Sequence, residues 1–411
     1  MPLEGLMQRR TPPTAMLIAV TMTGPLALNI FQPSMPNMAR VFATDYATIQ
    51  LSLTLFLAGV AVGQLFYGPL SDRFGRRPVL LGGLTLYVLA SLAAMVAPTV
   101  EFLILGRIAQ ALGGCAGMVL TRAIVRDIYT RDRAASVLAY IVMAMAVAPA
   151  IAPAIGGYLE SWFGWQASFL FVAGFGALVV AAAARWLHET NFQRVEGAGV
   201  GAMIGIYGRL ARQPVYAGYA LSVAFSTGAF FAFIGGAPYV VIELIRASPQ
   251  DYGIYFILVA VGYMGGSFIA GRLSMRYGVD RMIRLGVAIS TAGVLAMIAA
   301  ALWVPLSLAG LFAPMGLIAM GNGVSQPSGV SAAVSVDPGV AGSASGMLGF
   351  SQMALGGLLT FIIGHALSDS AWPLVIMMAV CTALGYGAFV FACRSRLRAA
   401  RATLSEARAG D

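Results

Sequence analysis

The sequence predicts an all-α membrane protein whose twelve transmembrane helices form two six-helix halves. Of its 411 residues, 59% are hydrophobic and 10% are charged, against about 25% charged residues in an average soluble domain. The apolar residues are grouped in runs of about 20, the length that crosses a bilayer as a helix. Six runs, a polar linker and six further runs follow one another along the chain. This pattern excludes a water-soluble protein.

The apolar runs also define the predicted domains. Residues 1–187 form an N-terminal six-helix bundle, residues 188–213 a cytoplasmic linker, residues 214–393 a C-terminal six-helix bundle and residues 394–411 a cytoplasmic basic tail. Each run is read as one helix because its hydropathy extends over a full membrane crossing. The predicted spans are residues 14–35, 48–67, 78–97, 100–125, 134–158, 167–187, 215–242, 252–270, 285–304, 306–330, 340–367 and 373–392.

The distribution of basic residues predicts the orientation. All 25 are arginines, and cytoplasmic connectors retain an excess of basic residues during insertion. With the N-terminus inside, 22 arginines lie at cytoplasmic ends or loops, Arg40 and Arg246 face outside, and Arg107 alone lies within a span. We therefore expect both termini in the cytoplasm. The net charge of +9 then reflects topology rather than binding of nucleic acid.

The sequence offers little for metal binding or covalent catalysis. Cys115, Cys381 and Cys393 lie in apolar runs, and the two histidines are far apart. A membrane-embedded enzyme needs clustered acids, histidines or a nucleophile with its base. The chain has no HExxH motif, no GxSxG motif and no acid pair within a span. We expect no metal, no cofactor and no enzymatic activity.

An internal repeat relates the two halves. Residues 68–77 read GPLSDRFGRR and residues 271–280 read GRLSMRYGVD. Gly, Leu, Ser, Arg and Gly coincide at a constant offset of 203 residues, about half the chain. Both segments follow an even-numbered span on the cytoplasmic side, so the repeat is parallel, and such halves rock about a site at mid-membrane.

The first repeat segment resembles a known motif. Residues 68–81, GPLSDRFGRRPVLL, match the GxLaDrxGrrxxl signature of the major facilitator superfamily at every defining position. The resemblance implies the major facilitator fold and a cytoplasmic latch, in which Asp72 faces the start of helix eleven near Gly342 and Arg76 meets Asp127. Opening inward separates these charges, so the latch stabilises the outward-open state. A basic cluster that only sets topology is the alternative. The latch residues are Gly68, Asp72, Arg73, Gly75, Arg76, Arg77 and Asp127.

Two further segments narrow the resemblance. Helix four contains RIAQALGG from Arg107, similar to the family's RxxQGxgaa motif, and helix five ends in PAIAPAIGG, similar to the GPxxGG ending of drug antiporters. Together the motifs resemble the twelve-span drug/proton antiporters, most closely the Bcr/CflA branch, which exports bicyclomycin, chloramphenicol and florfenicol-like antibiotics. The alternative for the helix-five ending is ordinary packing of small residues. The implied hinge residues are Pro149, Pro153, Gly156 and Gly157.

Charged and amide residues within the spans carry the predicted chemistry. Arg107 is the only charged residue away from the ends of a span, which indicates that it faces a polar cavity. A buried arginine paired with Gln110 is the alternative. The Bcr/CflA branch usually has an acid in helix one, where this chain has Asn29. An amide does not titrate. The candidates for coupling to the expected proton gradient are Glu101, Asp72, Asp127 and His365.

The predicted substrate site lies between the halves at mid-depth, where transporters of this kind bind their ligands. Because the spans contain a cation and no acid, we expect a monomer that exports neutral or weakly anionic amphiphiles, such as amphenicols, through the bacterial inner membrane. The alternative function is a symporter that imports a small organic metabolite. The candidate substrate-binding residues are Asn29, Gln32, Arg107, Gln110, Phe230, Phe231, Phe233, Asn322, Gln326 and Gln352.

Overall fold

The long apolar runs fold into helices, because a chain in lipid must satisfy its backbone hydrogen bonds within each segment. The computed structural model describes residues 11–129, 131–191, 200–337 and 340–409, and within them the chain forms fourteen α-helices and no β-strand. The N-terminal helices are α1 (Thr14–Ile30), α2 (Met35–Val41), α3 (Tyr46–Phe74), α4 (Arg76–Met95), α5 (Val100–Ile128), α6 (Arg131–Phe163) and α7 (Gln166–Trp186). The later helices are α8 (Val200–Arg212), α9 (Pro214–Tyr239), α10 (Pro249–Tyr277), α11 (Val279–Trp303), α12 (Leu308–Val334), α13 (Ala341–Ala366) and α14 (Trp372–Ala409).

The transmembrane helices agree with the predicted number. Among the described residues, 11 stretches are long and apolar enough to cross a membrane, and α1 with α2 counts as one of them (Thr14–Val41). The 33-residue α6 occupies the predicted fifth span. The prediction of an all-helical, multi-pass membrane protein with two six-helix halves is therefore confirmed.

Two spans differ from their predicted outlines. The first is interrupted by a 3-10 turn (Gln32–Ser34) between α1 and α2, because Pro33 and Pro36 lack the N–H that would continue the helix. The last span runs past its predicted end, and α14 continues to Ala409, so most of the predicted tail is helical. The first ten residues and residues 192–199 of the linker lie outside the described part.

The two halves meet along two pairs of helices, α3 with α13 and α6 with α10. We call the end of the bundle where α1 begins the terminal end, and the end where α3 begins the distal end. Along α3, Gln50 packs against Gly364 of α13 near the distal end, and Gln64 packs against Gly349 farther towards the terminal end. A Cβ on Gly68, one turn beyond Gln64, would meet no atom within 4 Å. The contact between α3 and α13 therefore ends before the terminal end.

The hydrophobic core is shared at the distal end and divided at the terminal end. The distal cluster of buried residues joins Phe31 and Ile49 of the N-terminal half to Phe233 and Tyr252 of the C-terminal half. At the terminal end each half has its own cluster. The first is built around Leu17 and Leu120 and the second around Tyr216 and Leu348. The two halves are thus joined at the distal end and separate at the terminal end.

Candidate functional site

Four hydrogen bonds join the halves near the distal end among the described residues, and we call them the distal seal. They run from the Tyr252 hydroxyl to Oε1 of Gln32 (2.9 Å), from the Tyr46 hydroxyl to the Gly235 carbonyl (2.7 Å), between the hydroxyls of Thr54 and Thr360 (3.0 Å) and from Nε2 of Gln50 to the Thr360 carbonyl (3.3 Å). The groups are buried or half-buried, and a hydrogen bond is stronger where water does not compete. The seal therefore holds the starts of α3 and α10 against the opposite half.

Two predicted substrate residues belong to this seal. Gln32 donates through Nε2 to Oδ1 of Asn29 at 3.0 Å, and Asn29 donates through Nδ2 to the Pro25 carbonyl at 2.7 Å. Both side chains are buried, and the chain of hydrogen bonds continues from Gln32 to Tyr252. Asn29 uses both its donor and its acceptor here, whereas an ionised carboxylate supplies acceptors only. The amide at the helix-one position thus supports the junction between the halves.

The predicted hinge of helix five is a closely packed seam. Its residues are Pro149, Pro153, Gly156 and Gly157, and α6 continues through both prolines. A Cβ on Gly156 would come within 1.7 Å of the Ile30 carbonyl oxygen, and one on Gly157 within 2.4 Å of the Pro249 carbonyl oxygen. The glycines therefore let α6 contact α1 and α10 at the distal end. This close contact is the packing of small residues that the sequence offered as the alternative to a hinge. Bending at this segment stays a prediction.

Arg107 lies inside the N-terminal half. Its guanidinium carbon is 4.0 Å from the ring centre of Phe31 and 4.3 Å from that of Phe56, a cation–π arrangement. Its Nη1 donates to the Ala27 carbonyl at 3.0 Å and to Oε1 of Gln110. Only 1% of the residue is exposed. Arg107 is thus packed among α1, α3 and α5 and paired with Gln110, and it does not open onto the space between the halves.

On the C-terminal half, two predicted amides converge on one hydroxyl. Nε2 of Gln352 on α13 and Nε2 of Gln326 on α12 lie 2.8 Å and 3.2 Å from Oγ1 of Thr227 on α9. Both glutamines are half-buried, and so is Phe230, three residues after Thr227. These three predicted residues remain accessible. Thr227 was not predicted, because a single threonine in an apolar helix usually bonds only to its own backbone.

The other predicted residues of this half pack within its core. Asn322 donates to the Ser226 carbonyl at 3.2 Å and accepts from the Ser290 hydroxyl at 3.4 Å, which ties α12 to α9 and α11. Phe231 and Phe233 are buried in the distal cluster. Their burial leaves Gln326, Gln352 and Phe230 as the predicted residues of the C-terminal half that a ligand can reach.

An ion-pair network holds the connector between α3 and α4 at the terminal end. Nη1 of Arg76 lies 2.6 Å from Oδ1 of Asp72, one turn earlier, and Nε of Arg76 lies 3.0 Å from Oδ2 of Asp127 at the end of α5. Gly75 has a φ of 101°, which favours glycine and turns the chain between the two helices. The structure therefore places the predicted partners Arg76 and Asp127 within hydrogen-bonding distance.

The connector does not reach helix eleven within the described residues. A Cβ on Gly342, at the start of α13, would meet no atom within 4 Å, and the Asp72 side chain is 45% exposed. The predicted latch between the halves is thus open in this structure, in agreement with the divided core at this end. The remaining latch arginines, Arg73 and Arg77, contact the Phe74 ring and the Leu187 carbonyl of their own half.

Glu189, just past the end of α7, completes the terminal-end network. Its carboxylate accepts the backbone N–H groups of Arg76 (2.9 Å) and Arg77 (3.2 Å), the first residues of α4, together with those of Thr190 and Asn191 (2.9 Å each). Burial opposes its charge, but the four backbone hydrogen bonds outweigh burial and lower the pKa of Glu189. The first N–H groups of a helix have no acceptor within the helix. This cap is not apparent from the sequence because Glu189 lies 113 residues from Arg76.

The accessible groups of the site have a chemistry suited to holding a ligand. Amides, a hydroxyl and an aromatic ring orient a molecule by hydrogen bonds and apolar contact. The described part of the chain contains no group of three or more His, Cys, Asp or Glu side chains that could hold a metal ion. These groups are of the kind that orients a ligand.

Comparisons with known proteins agree with this fold. The family model of the Major Facilitator Superfamily matches residues 17–360. The chain is 33% identical to a chloramphenicol resistance protein of Pseudomonas aeruginosa, over 92% of this chain and 88% of the relative. It is 27% identical to a bicyclomycin resistance protein homolog of Haemophilus influenzae, over 90% and 94%. A solved structure of the xylose transporter XylE from E. coli, partially occluded and inward open, has a TM-score of 0.71 at 13% identity, over 93% of this chain and 96% of that chain.

These matches extend over both halves. The family match includes both repeat segments and most of the helices, and the relatives named for antibiotic resistance agree with the predicted Bcr/CflA resemblance. The solved transporter shares the fold over nearly the whole chain. The chain therefore belongs to the major facilitator superfamily, a family of membrane transporters.

Proposed function

We propose that this protein exports neutral or weakly anionic amphiphilic drugs across the bacterial inner membrane by alternating access. The observation that carries the proposal is the contrast between a sealed distal end and a divided terminal end. In alternating access, one side of the protein is closed while the other admits substrate to a central site. The distal seal and the terminal-end latch are the two gates of this cycle.

The arginine distribution supports a cytoplasmic terminal end, with both chain termini on that side. The described state is then inward-facing, and substrate enters from the cytoplasm or the inner leaflet. One chain contains both halves and the site between them, so we propose a monomer that needs only its substrate and the lipid bilayer. Nucleic acid has no role in this proposal.

The accessible groups support the proposed substrate class. Phe230, Gln326 and Gln352 are uncharged, and Arg107 is buried away from the space between the halves. The relatives named for resistance to chloramphenicol and bicyclomycin point to neutral, amphiphilic antibiotics. A quaternary ammonium ion finds no carboxylate among these groups to replace its hydration. We therefore propose amphenicol-like or bicyclomycin-like substrates.

Export against a concentration gradient needs an energy source, for which we propose proton antiport. Glu160, at the distal end of α6, joins the predicted coupling candidates Glu101, Asp72, Asp127 and His365. Its side chain accepts from Asn37 at 2.7 Å and is 8% exposed. A carboxyl that is buried while the distal end is sealed, and meets water when that end opens, exchanges protons only in one state. Glu160 has Arg40 as a charged neighbour. Arg40 in turn forms an ion pair of 3.7 Å with Glu243.

Export is tested in a pump-deficient bacterium and in everted membrane vesicles. Cells that make the protein are expected to accumulate less chloramphenicol and to tolerate more of it, whereas energised everted vesicles accumulate the drug. Collapse of the proton gradient is expected to abolish both effects. Higher accumulation in cells, with no uptake by everted vesicles, would favour the metabolite importer instead. Quaternary ammonium dyes as the best substrates would contradict the proposed substrate class.

A further inference from the structure

The hydroxyl of Thr227 is saturated by three hydrogen bonds. It donates to the Val223 carbonyl at 3.0 Å in its own helix. It also lies 2.8 Å from Nε2 of Gln352 and 3.2 Å from Nε2 of Gln326. A hydroxyl has one hydrogen and two acceptor positions. Because the hydrogen goes to Val223, Thr227 can only accept from the two glutamines.

This saturation determines how both amides are turned. Each glutamine must present its NH₂ group to Thr227, so its carbonyl oxygen Oε1 points away from that hydroxyl. Among the described residues, neither Oε1 has a hydrogen-bonding partner in the protein. The two side chains come from α12 and α13 and converge on α9, so they lie on the shared side of three helices rather than towards lipid. The two unpaired carbonyl acceptors therefore flank the Thr227 hydroxyl.

The surroundings place this acceptor pair where the two halves meet. Met353, the residue after Gln352, packs against the N-terminal cluster that includes Ala27 and Phe56. Phe230, three residues after Thr227, is half-buried with its ring centre 6.3 Å from that of Phe256. The acceptor pair is thus flanked by apolar and aromatic surface, as is usual for sites that bind small amphiphiles.

We propose that Gln326 and Gln352 select substrates that carry two hydrogen-bond donors, hydroxyl or amide N–H, on an otherwise apolar molecule. Thr227 is a positioning residue that keeps both amides turned with oxygen outwards. This inference rests on the proposed export function and names the substrate chemistry of that site. A site built to accept hydrogen bonds discriminates against analogues that lack the donor, because its acceptors are left unpaired.

Two amphenicols that differ by one donor test the proposal. Florfenicol carries two donors, one hydroxyl and one amide N–H, and its O-methyl ether keeps only the amide N–H. In everted vesicles with the full-length protein, we expect a KM for the O-methyl ether roughly three- to tenfold above that for florfenicol, the effect of one lost hydrogen bond. Thr227→Val keeps the volume but frees both amides, so the ratio is expected to fall towards one. The conservative Thr227→Ser restores it.

The ratio of the two ligands separates selection from a general structural effect. A purely structural role of Thr227 would change both KM values together and leave their ratio intact. A ratio near one in the wild type, or a ratio unchanged by Thr227→Val, overturns the inference. Thermal unfolding of each variant identifies those that fail to fold, and Gln352→Met then serves as the second variant that removes one acceptor.

Equilibrium binding to the purified protein distinguishes this inference from the proposed function. One outcome is that neither drug is transported, while the ratio of their binding affinities still differs from one and still depends on Thr227. This outcome would contradict the export proposal and support the role of Gln326 and Gln352 as paired acceptors. If neither drug binds, the inference is overturned. If both drugs are transported with equal affinity, the export function is supported and the selection of donors by Gln326 and Gln352 is contradicted.

Discussion

The two connectors related by the internal repeat share a backbone but differ in charge. Gly75 and Gly278 both turn with positive φ, 101° and 78°. The positions of Asp72 and Arg76 in the first connector are taken by Met275 and Val279 in the second. Met275 is 97% exposed, whereas Arg76 is held between two carboxylates. Of the two connectors, only the first therefore carries the charges of the proposed terminal-end latch.

A fourth pair of positions in these connectors keeps its role with the sign of the charge reversed. Arg77 donates to the Leu187 carbonyl at the end of α7. Its counterpart Asp280 pairs with Arg396 of α14 and accepts from the Tyr219 hydroxyl at 2.9 Å. In both halves this position joins the third helix to the sixth. The partner in the first half is a backbone carbonyl, which accepts a hydrogen bond from the cationic Arg77. The partner in the second half is the guanidinium of Arg396, which pairs with an anion, so the sign of the charge differs between the halves.

The largest expected effect follows from removing the charged gate. Arg76→Gln is expected to lower drug export by on the order of tenfold or more, because loss of one partner of a partly buried ion pair costs a few kcal/mol. The matched change in the other connector, Val279→Gln, alters no ion pair. It is expected to leave export within about twofold of the wild type. Export rates in everted vesicles measure both variants, and equal losses would show that the connectors do not differ as described.

The distal seal gives the next effect. Tyr252→Phe removes the hydrogen bond to Gln32, worth about 1 kcal/mol when buried, and should shift the balance towards distal opening about fivefold. Tyr255→Phe on the same helix is the control, since the Tyr255 hydroxyl has no partner among the described residues. Spin labels at Asp45 and Arg246, both exposed at the distal end, report the distance distribution. Identical distributions for the two variants would exclude a gating role for Tyr252.

A smaller effect is expected at the second connector. Asp280→Asn should lower the stability of the protein by up to about 1 kcal/mol, the range for exposed ion pairs, since the Arg396 side chain is 52% exposed. Export should change little, because Asp280 and Arg396 are not part of the proposed latch. Combining Asp280→Arg with Arg396→Asp should restore thermal stability in detergent. Loss of export comparable to that of Arg76→Gln would place a gate in the C-terminal half too.

The smallest effect is a dependence on acid pH. The pKa of Glu189 is lowered in the folded protein relative to its ordinary value of 4.5. Its stabilising effect is therefore complete above pH 4.5 and is lost as the pH falls through the lowered pKa. The melting temperature of Glu189→Gln should vary less with pH below 4.5 than that of the wild type. Ala392 occupies the corresponding position of the other half, and a steeper dependence in the variant would rule out this cap.

Local sequence patterns predicted the parts of the site that neighbouring residues build. The pairing of Asp72 with Arg76 follows from their spacing of one helical turn, and the turn at Gly75 follows from the glycine itself. The surroundings of Arg107 did not follow from its span, because hydropathy does not show which neighbouring helices a residue faces. Thr227 and Glu189 were missed for a related reason, since their partners come from distant segments.

The chain by itself determined the number, order and expected direction of its helices. In lipid, each span must form its backbone hydrogen bonds within itself and be apolar over its whole length. The number and order of the helices can therefore be read from each segment of the sequence by itself. Only the tertiary structure decided which end of the bundle is sealed, and which polar side chains serve the seal and which remain open to a ligand. Asn29 and Gln352 are both amides in apolar helices, and their different places arise from the side chains that other helices bring beside them.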